Sequence, residues 1–157
     1  MPEIRFLADV MLGKLAKWLR ILGYDTEYCR APGCDDLLRR ACAEDRQLLT
    51  RSTRLTRRPD HESRICFISA NEPPLQVREV LSRYHLVITP GAPLTRCLSC
   101  NRQLVRPAPA LLASRVPEYV LATRHLFLSC PCCHKVYWRG THYQNMQERI
   151  KQAFIDK

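Results

Sequence analysis

The chain has 157 residues, a length that suits one ordinary domain joined to a small metal-stabilised module. No stretch approaches the ~20 apolar residues of a membrane-spanning helix, and the N-terminus lacks the apolar core of a signal peptide. We therefore expect a cytoplasmic protein that does not enter a membrane. In that reducing compartment its nine cysteines would bind metal or stay free rather than form a disulfide scaffold.

The formal net charge of +10 is concentrated in the second part of the chain. Residues 91–157 carry 10 Lys and Arg against 3 Asp and Glu, a balance of +7, whereas residues 1–90 carry 15 against 12, a balance of +3. Such a basic surface attracts polyanions, and nucleic acid is the commonest of these in the cytoplasm. The alternative is a solvated basic surface without a specific partner.

The first 90 residues alternate between strand-like and helix-like segments. In chain order the pattern first predicts a strand at 4–9, an amphipathic helix at 12–22 that ends at Gly23, and a strand at 25–29. A helix capped by Asp35 or Asp36 follows and runs to about Asp45. The remaining predicted elements are strands at 47–50 and 65–69 and a helix at 75–84. This alternation predicts a parallel sheet with helices on both faces. Residues 89–95 are the predicted junction with a second module, 91–157, in which we expect a loop at 106–109 and a closing helix at 143–154.

Two Cys-x-x-Cys pairs lie in the second module. Cys97 and Cys100 form the first pair, and Cys130 and Cys133 form the second. Thiolates three residues apart on a tight turn can hold one tetrahedral ion from the same side, and a second such turn completes the four ligands. Because sulfur fills every position, we expect a structural zinc ribbon rather than a catalytic zinc. Incidental cysteines or a disulfide are the alternatives, and Cys133 is preferred over Cys132 because it keeps the two-residue spacing.

Oxygen-bearing side chains follow three of the predicted strands. Asp9 ends the first strand, Asp35 and Asp36 follow the second, and Thr50 and Ser52 stand at the end of the third. Ligands bind at the carboxyl edge of a parallel sheet, so we expect these side chains to be neighbours. Clustered carboxylates repel one another unless a hard cation neutralises them, which predicts a Mg²⁺ or Mn²⁺ site able to act on a phosphodiester. The alternatives are a strand-end turn for Asp9 and helix capping for Asp35 and Asp36.

Basic residues lie on the helices and loops that leave the same strand ends. As a group they suit contacts with a backbone phosphate that approaches the metal, although any one of them could be a solvated surface charge. They are Lys14, Lys17, Arg20, Arg39, Arg40, Arg51, Arg54, Arg57 and Arg58.

Read in order, these residues resemble the Mut-seven C-terminal RNase-domain family. The run that begins Phe6-Leu-Ala-Asp9 and continues to Asp25 is similar to the opening of that family, and Leu48-Leu-Thr-Arg51 and Gln76 follow in the same order. The second cysteine pair, with Tyr137-Trp-Arg-Gly-Thr-His142 after it, is similar to the family's second knuckle and its Tyr-Trp-x-Gly-x-His signature. The resemblance covers almost the whole chain. It implies a PIN-like nuclease fold fused to a zinc ribbon, with metal-dependent cleavage of RNA as the expected activity.

The resemblance also implies roles for the acidic residues. Asp9 would be the first metal carboxylate, and Asp35 or Asp36 the second. The third position departs from the family, whose pattern resembles Leu-Thr-Arg-Asp, because Ser52 follows Arg51 in this chain. A neutral hydroxyl cannot supply the missing charge, though it can hold a metal-bound water.

Two consequences of Ser52 remain open. Either a nearby acid such as Asp60 or Glu72 takes the place of the missing aspartate, or the pocket binds RNA without cutting it efficiently. In the second case the protein would be an RNA-binding or ribonucleoprotein-binding module.

Two residues after the second cysteine pair are candidates for contacts with RNA. Trp138, next to Tyr137, could stack on an unpaired base or pack against the ribbon. His142 could contact a phosphate or support the zinc knuckle. The candidate RNA contacts are therefore Lys14, Arg51, Arg54, Trp138 and His142.

Overall fold

The computed structural model describes residues 3–30, 33–89, 91–92 and 94–154, with the backbone alone for Cys34 and Asp60. The chain divides after residue 87 into two compact units. Parts of the predicted junction at 89–95 lie outside the described residues. None of the helices in the described ranges combines the length and the apolar character that a membrane span requires.

The first unit is built on a four-stranded sheet in which all strands are parallel, in the order β2-β1-β3-β4. The strands are β1 (Phe6–Ala8), β2 (Thr26–Tyr28), β3 (Gln47–Thr50) and β4 (Ile65–Phe67). Phe6 of β1 pairs with Thr26 on one side and with Gln47 on the other. Because the strands are parallel, the residues that follow them share one edge of the sheet.

Helices flank this sheet, and the sequence predicts all of them except the short one at Thr53–Thr56. They are α1 (Gly13–Ile21), α2 (Cys34–Ala43), α3 (Thr53–Thr56) and α4 (Pro73–Arg83). The central strands are buried on both faces, so that Leu7 and Leu48 pack in one apolar cluster with Leu38 of α2 and Leu55 of α3. The predicted α/β fold with a parallel sheet flanked by helices is confirmed.

Gly23 ends α1 in the predicted manner. Its φ of 93° is a left-handed conformation that glycine adopts without a steric penalty. The N–H of Gly23 bonds to the carbonyl of Arg20 at 3.0 Å, and the N–H of Tyr24 bonds to the carbonyl of Leu19 at 2.9 Å. These two bonds satisfy carbonyls of the last turn and turn the chain towards β2.

The start of α2 differs from the prediction. Gly33 is the N-cap residue, and no side chain makes a capping hydrogen bond there. Asp35 and Asp36 lie inside the first turn instead of preceding it, so the predicted capping role is wrong. Glycine is also accepted at an N-cap, and acidic side chains in the first turn interact favourably with the positive end of the helix dipole.

The second unit contains an antiparallel pair, β5 (Phe127–Ser129) and β6 (Val136–Trp138). Its helices are α5 (Pro109–Arg115), α6 (Glu118–Thr123) and α7 (Thr141–Phe154). The closing helix α7 confirms the prediction. The sequence predicts a loop at 106–109 and no element at 110–126, where the structure has most of α5 and all of α6. This segment contributes to the core of the unit, because Val116, which directly follows α5, and Val120 of α6 pack with Phe127.

Candidate active site and metal centre

Four cysteines converge in the second unit. The sulfur atoms of Cys97, Cys100, Cys130 and Cys133 all lie within 4.8 Å of one another, and the Cys100–Cys130 and Cys97–Cys133 separations are 3.2 and 3.6 Å. A tetrahedron with metal–sulfur bonds of about 2.3 Å has sulfur atoms ~3.8 Å apart, so these residues fit a bound zinc ion. Cys132 is exposed and outside the group. The predicted four-cysteine cluster is confirmed.

The two turns that carry these cysteines have the same backbone geometry. In the first turn the carbonyl of Cys97 accepts from the N–H of Asn101 at 2.9 Å, and in the second the carbonyl of Cys130 accepts from His134 at 3.0 Å. Asn101 and His134 both have positive φ, 65° and 59°. This repeated turn aims each pair of thiols at one point, which the spacing alone could not show.

A phenol hydroxyl lies against one of the sulfur atoms. The Tyr137 oxygen is 3.2 Å from the Cys97 sulfur and accepts a hydrogen bond from the N–H of Leu98, also at 3.2 Å. Burial by itself would raise the pKa of Cys97, but hydrogen bonds from Tyr137 and from the backbone of the turn outweigh it and lower the pKa to about 6. The thiolate that a metal requires is therefore already favoured at this residue.

In the first unit Asp9 follows the central strand β1 and is only 4% exposed. Its Oδ1 accepts the N–H of Met11 at 2.9 Å, and its Oδ2 accepts the N–H of Arg51 at 3.1 Å and the hydroxyl of Thr50. A carboxylate offers about four lone-pair directions, so these three bonds fix the group and leave about one direction for a ligand. Asp9 also forms the N-cap of the short 3₁₀ turn that leads into α1.

Thr50 connects Asp9 to the position of Ser52. Its hydroxyl oxygen donates to Asp9 and accepts the N–H of Ser52 at 2.9 Å. Ser52 is the N-cap residue of α3, yet its hydroxyl makes no capping hydrogen bond. The side chain of Asp60, one of the acids weighed as a substitute, lies outside the described residues.

The acids of α2 have cationic partners. Oδ1 of Asp35 lies 2.5 Å from Nη2 of Arg58, and both side chains are largely exposed. Asp36 forms an ion pair with Arg39, one turn along the same helix. Among the described residues, the four cysteines are the one group of three or more Cys, His, Asp or Glu side chains close enough to share an ion. Asp9 and the acids of α2 therefore do not form a ready-made cluster of three carboxylates.

The guanidinium of Arg51 is bound within the protein. Nη1 donates to the carbonyl oxygens of Ile68 and Ser69, each at 3.2 Å, and to that of Ala70. Nη2 donates to the side-chain oxygen of Asn71 at 2.7 Å. Arg51 thus holds the loop that follows β4, and its predicted contact with RNA stays a prediction.

Two side chains of α4 complete this loop's support, and sequence reasoning did not assign either role. The Glu79 carboxylate accepts the N–H groups of Ser69 and Ala70, both at 3.0 Å. The Gln76 amide donates to the carbonyl of Ala70 at 3.1 Å. Apart from the hydroxyl of Ser69, which donates to Glu79 at 3.1 Å, their partners are backbone atoms, which leave no signal in the sequence.

Lys14 and Arg54 lie in helices that begin just beyond the strand ends. Lys14 is in the first turn of α1 and Arg54 is in α3, and both are exposed. They place positive charge on the segments that follow Asp9 and Ser52, and their predicted contact with a phosphate stays a prediction.

Trp138 and His142 line one cavity of about 490 Å³ in the second unit. Tyr119 of α6 and Arg124, which directly follows this helix, line it as well, and sequence reasoning missed both because it did not predict that helix. The cavity lies entirely within this unit.

Comparisons with known proteins agree with these observations. A model of the Mut7-C RNAse domain matches residues 4–150, nearly the whole chain. Neither the curated proteins nor the solved structures gave a significant match.

Proposed function

The chain belongs to the Mut7-C RNAse domain family, and on that basis we propose that it is a divalent-metal-dependent ribonuclease that hydrolyses RNA phosphodiesters. The proposal assigns catalysis to a PIN-like domain, residues 1–90, and a structural zinc to residues 91–157. The observation that carries it is the state of Asp9, a buried carboxylate that three hydrogen bonds fix at the end of the central strand.

Asp9 and Asp35 are the proposed ligands of Mg²⁺ or Mn²⁺, with Asp36 as the alternative to Asp35. When bound, such an ion stabilises negative charge on the phosphate and lowers the pKa of a bound water. The fixed orientation of Asp9 means that this ligand does not have to reorganise during the reaction. Asp35 must exchange Arg58 for the metal, and this costs little because exposed ion pairs contribute at most about 1 kcal/mol.

The remaining residues have supporting roles in this proposal. The Ser52 hydroxyl orients a water molecule where the family pattern has a carboxylate. Lys14 and Arg54 bind the phosphates that flank the scissile bond, because exposed ammonium and guanidinium groups attract the RNA backbone without reading its sequence. Arg51 contributes by holding the loop after β4.

The test is cleavage of a 5′-labelled single-stranded RNA in the presence of Mn²⁺. We expect Asp9→Asn to lower the rate by at least about 100-fold, because the amide removes a charged metal ligand. Asp45→Asn is the matched control: Asp45 is exposed, pairs with Arg64 and precedes β3, at the opposite end of the strands. Equal rates for Asp9→Asn and the wild type contradict the proposal.

Metal removal provides a second arm of the same test. Protein treated with EDTA and then reloaded with zinc alone should hold its four-cysteine site and show no cleavage until Mg²⁺ or Mn²⁺ is added. Cleavage that survives this treatment would show that the reaction does not use the proposed ion.

The neutral Ser52 favours a second candidate function, an RNA-binding module with weak or no cleavage. This candidate predicts salt-dependent RNA binding without turnover stimulated by Mn²⁺. It also predicts that Ser52→Asp raises the affinity for Mn²⁺. Tight binding of Mn²⁺ by the wild type at Asp9 argues against it.

A further inference from the structure

The cavity of the second unit has aromatic walls. Its volume is about 490 Å³, and four aromatic side chains are among the residues that line it: Tyr119, Tyr137, Trp138 and Tyr143. Ligand pockets in proteins commonly measure about 300–1,000 Å³, so a single flat ring with a substituent fits easily. None of the described residues that line it is acidic.

Two of the tyrosines are held in place by their hydroxyl groups. The Tyr137 hydroxyl lies 3.2 Å from the sulfur of Cys97, and the Tyr143 hydroxyl donates to the carbonyl of Ala92 at 2.9 Å. Their rings therefore do not have to be ordered when a ligand enters, which lowers the entropic cost of binding.

Trp138 is fixed from two sides. Its ring packs against Phe127 with centroids 6.3 Å apart and a tilt of 57°. At Gly140 a Cβ atom would lie 3.0 Å from Nε1 of the indole, so that turn has no room for a side chain while Trp138 keeps this position. The indole is only partly buried and lines the cavity. A fixed, partly exposed indole is suited to stacking.

Basic side chains lie beside the aromatic walls. Arg124 and His142 line the cavity, and the guanidinium of Arg139 lies 5.5 Å from the centroid of the Tyr143 ring. The charge balance of residues 91–157 is +7. Flat aromatic surfaces beside cationic groups, with no acid in the lining, match a ligand that has a flat ring and an anionic group.

We propose that this cavity binds one unpaired nucleotide of a single-stranded RNA, with the base stacked on the aromatic walls and a phosphate near Arg124 and His142. The inference rests on the proposed function only in its choice of RNA as the ligand. The carboxylates assigned to catalysis belong to the other unit, so binding in the cavity can be measured with cleavage disabled.

The experiment uses the full chain with Asp9→Asn, which removes cleavage, and Trp18→Phe, which leaves Trp138 as its one tryptophan. Single-stranded hexauridylate is titrated while the fluorescence of Trp138 is recorded. We expect saturable quenching, and we expect Tyr119→Ala to weaken binding by about tenfold or more, since base–aromatic contacts are sequence-tolerant and substantial. Tyr119 is 73% exposed, so its truncation should leave the fold intact.

Arg124→Ala should also weaken binding, and Arg106→Ala is its matched control. Arg106 is exposed in the same unit and does not line the cavity, so its removal changes the net charge by the same amount without touching the site. Equal affinities for the Arg124 and Arg106 variants, together with an unchanged affinity for Tyr119→Ala, would overturn the inference.

A hexamer of ribose phosphates without bases distinguishes the contribution of base stacking to the affinity from that of the phosphate charge. If it binds as tightly as hexauridylate, the contact is electrostatic and the inference is wrong. Quenching by a short apolar peptide but not by RNA would likewise overturn it and indicate a protein partner. If hexauridylate binds in the cavity while the protein with an intact Asp9 cleaves no RNA, the proposed function fails and this inference stands.

Discussion

The hydroxyl of Thr50 donates a hydrogen bond to Oδ2 of Asp9, from the end of β3 to the end of the neighbouring strand β1. Thr50 is fully buried, and the same hydroxyl accepts the N–H of Ser52. One side chain therefore fixes both the proposed first metal ligand and the backbone at the position where the family pattern has an aspartate.

Thr50→Val keeps the shape of this side chain and removes both hydrogen bonds. We expect a loss of about 1–3 kcal/mol in the free energy of unfolding, because a buried carboxylate loses a donor. We also expect Mn²⁺-dependent RNA cleavage to fall more than this stability change explains, since Asp9 is no longer held in one orientation. Urea unfolding and initial cleavage rates measure the two effects, and Thr50→Ser should restore most of the rate.

Arg58→Gln removes the cation that pairs with Asp35. Because the pair is exposed and worth about 0.2–1 kcal/mol, we expect the affinity for Mn²⁺ to rise by roughly 1.5- to 5-fold. Titration calorimetry with Mn²⁺ measures this change. The rise should vanish when Asp35→Asn is added, and a rise that persists would show that Asp35 is not the ligand.

The four-cysteine cluster gives a closely matched pair of substitutions. Cys100→Ser removes one of the four thiols, whereas Cys132→Ser changes an exposed thiol outside the group. We expect Cys100→Ser to purify with less than one zinc ion per protein molecule. We also expect the backbone amides of residues 94–154 to lose protection from hydrogen exchange, because a structural zinc site contributes directly to folding. Cys132→Ser should keep one zinc ion per molecule and the same amide protection as the wild type. Metal analysis and hydrogen exchange measure this, and equal zinc content in the two variants would mean that a different set of ligands is used.

Glu44 makes the stability of the first unit depend on pH. Burial by itself would raise the pKa of Glu44, but its hydrogen bonds with Arg40 and Arg46, at 2.6 and 2.7 Å, outweigh this and lower the pKa. A carboxylate with a lowered pKa in the folded state stabilises the fold above the unfolded-state pKa of about 4.3. That stabilisation is lost as the pH falls through the folded-state pKa.

We therefore expect Glu44→Gln to be less stable than the wild type at pH 7 and to lose less stability between pH 6 and pH 3. Urea unfolding at several pH values measures the difference, with Glu62→Gln, at an exposed position of the same unit, as the control. If the free energies of unfolding of Glu44→Gln and of the wild type change with pH in parallel, the ion pairs of Glu44 contribute nothing to the pH dependence of stability.

The elements that the sequence predicted well are those with a local cause. The strand at 47–50 has two apolar residues at its centre, Leu48 and Leu49. Gly23 marks a helix end because glycine adopts its conformation without a steric penalty. The spacing of the two Cys-x-x-Cys pairs predicts the cysteine cluster, although it does not show the turns that direct the thiols to one point. In contrast, α5 has only 7 residues and none that is fully buried, so it is too short for its sequence to show a repeating apolar stripe.

The roles that the sequence did not reveal depend on contacts between distant residues. Arg51 looks like a phosphate contact in the sequence, yet its guanidinium binds backbone carbonyls about 17 to 19 residues away. Glu79 likewise binds N–H groups that every residue other than proline has. Tyr119 joins Trp138 in one cavity only because α6 and β6 meet in the core of the second unit.

The most direct test of the central proposal is a crystal of the protein soaked with Mn²⁺, measured for anomalous scattering. We predict an Mn²⁺ ion bound to Asp9 and to Asp35 or Asp36, with Asp35 released from Arg58 if it is the ligand, and a water molecule between the ion and Ser52. A crystal without manganese at Asp9, obtained at an Mn²⁺ concentration at which the protein cleaves RNA in solution, would contradict the account.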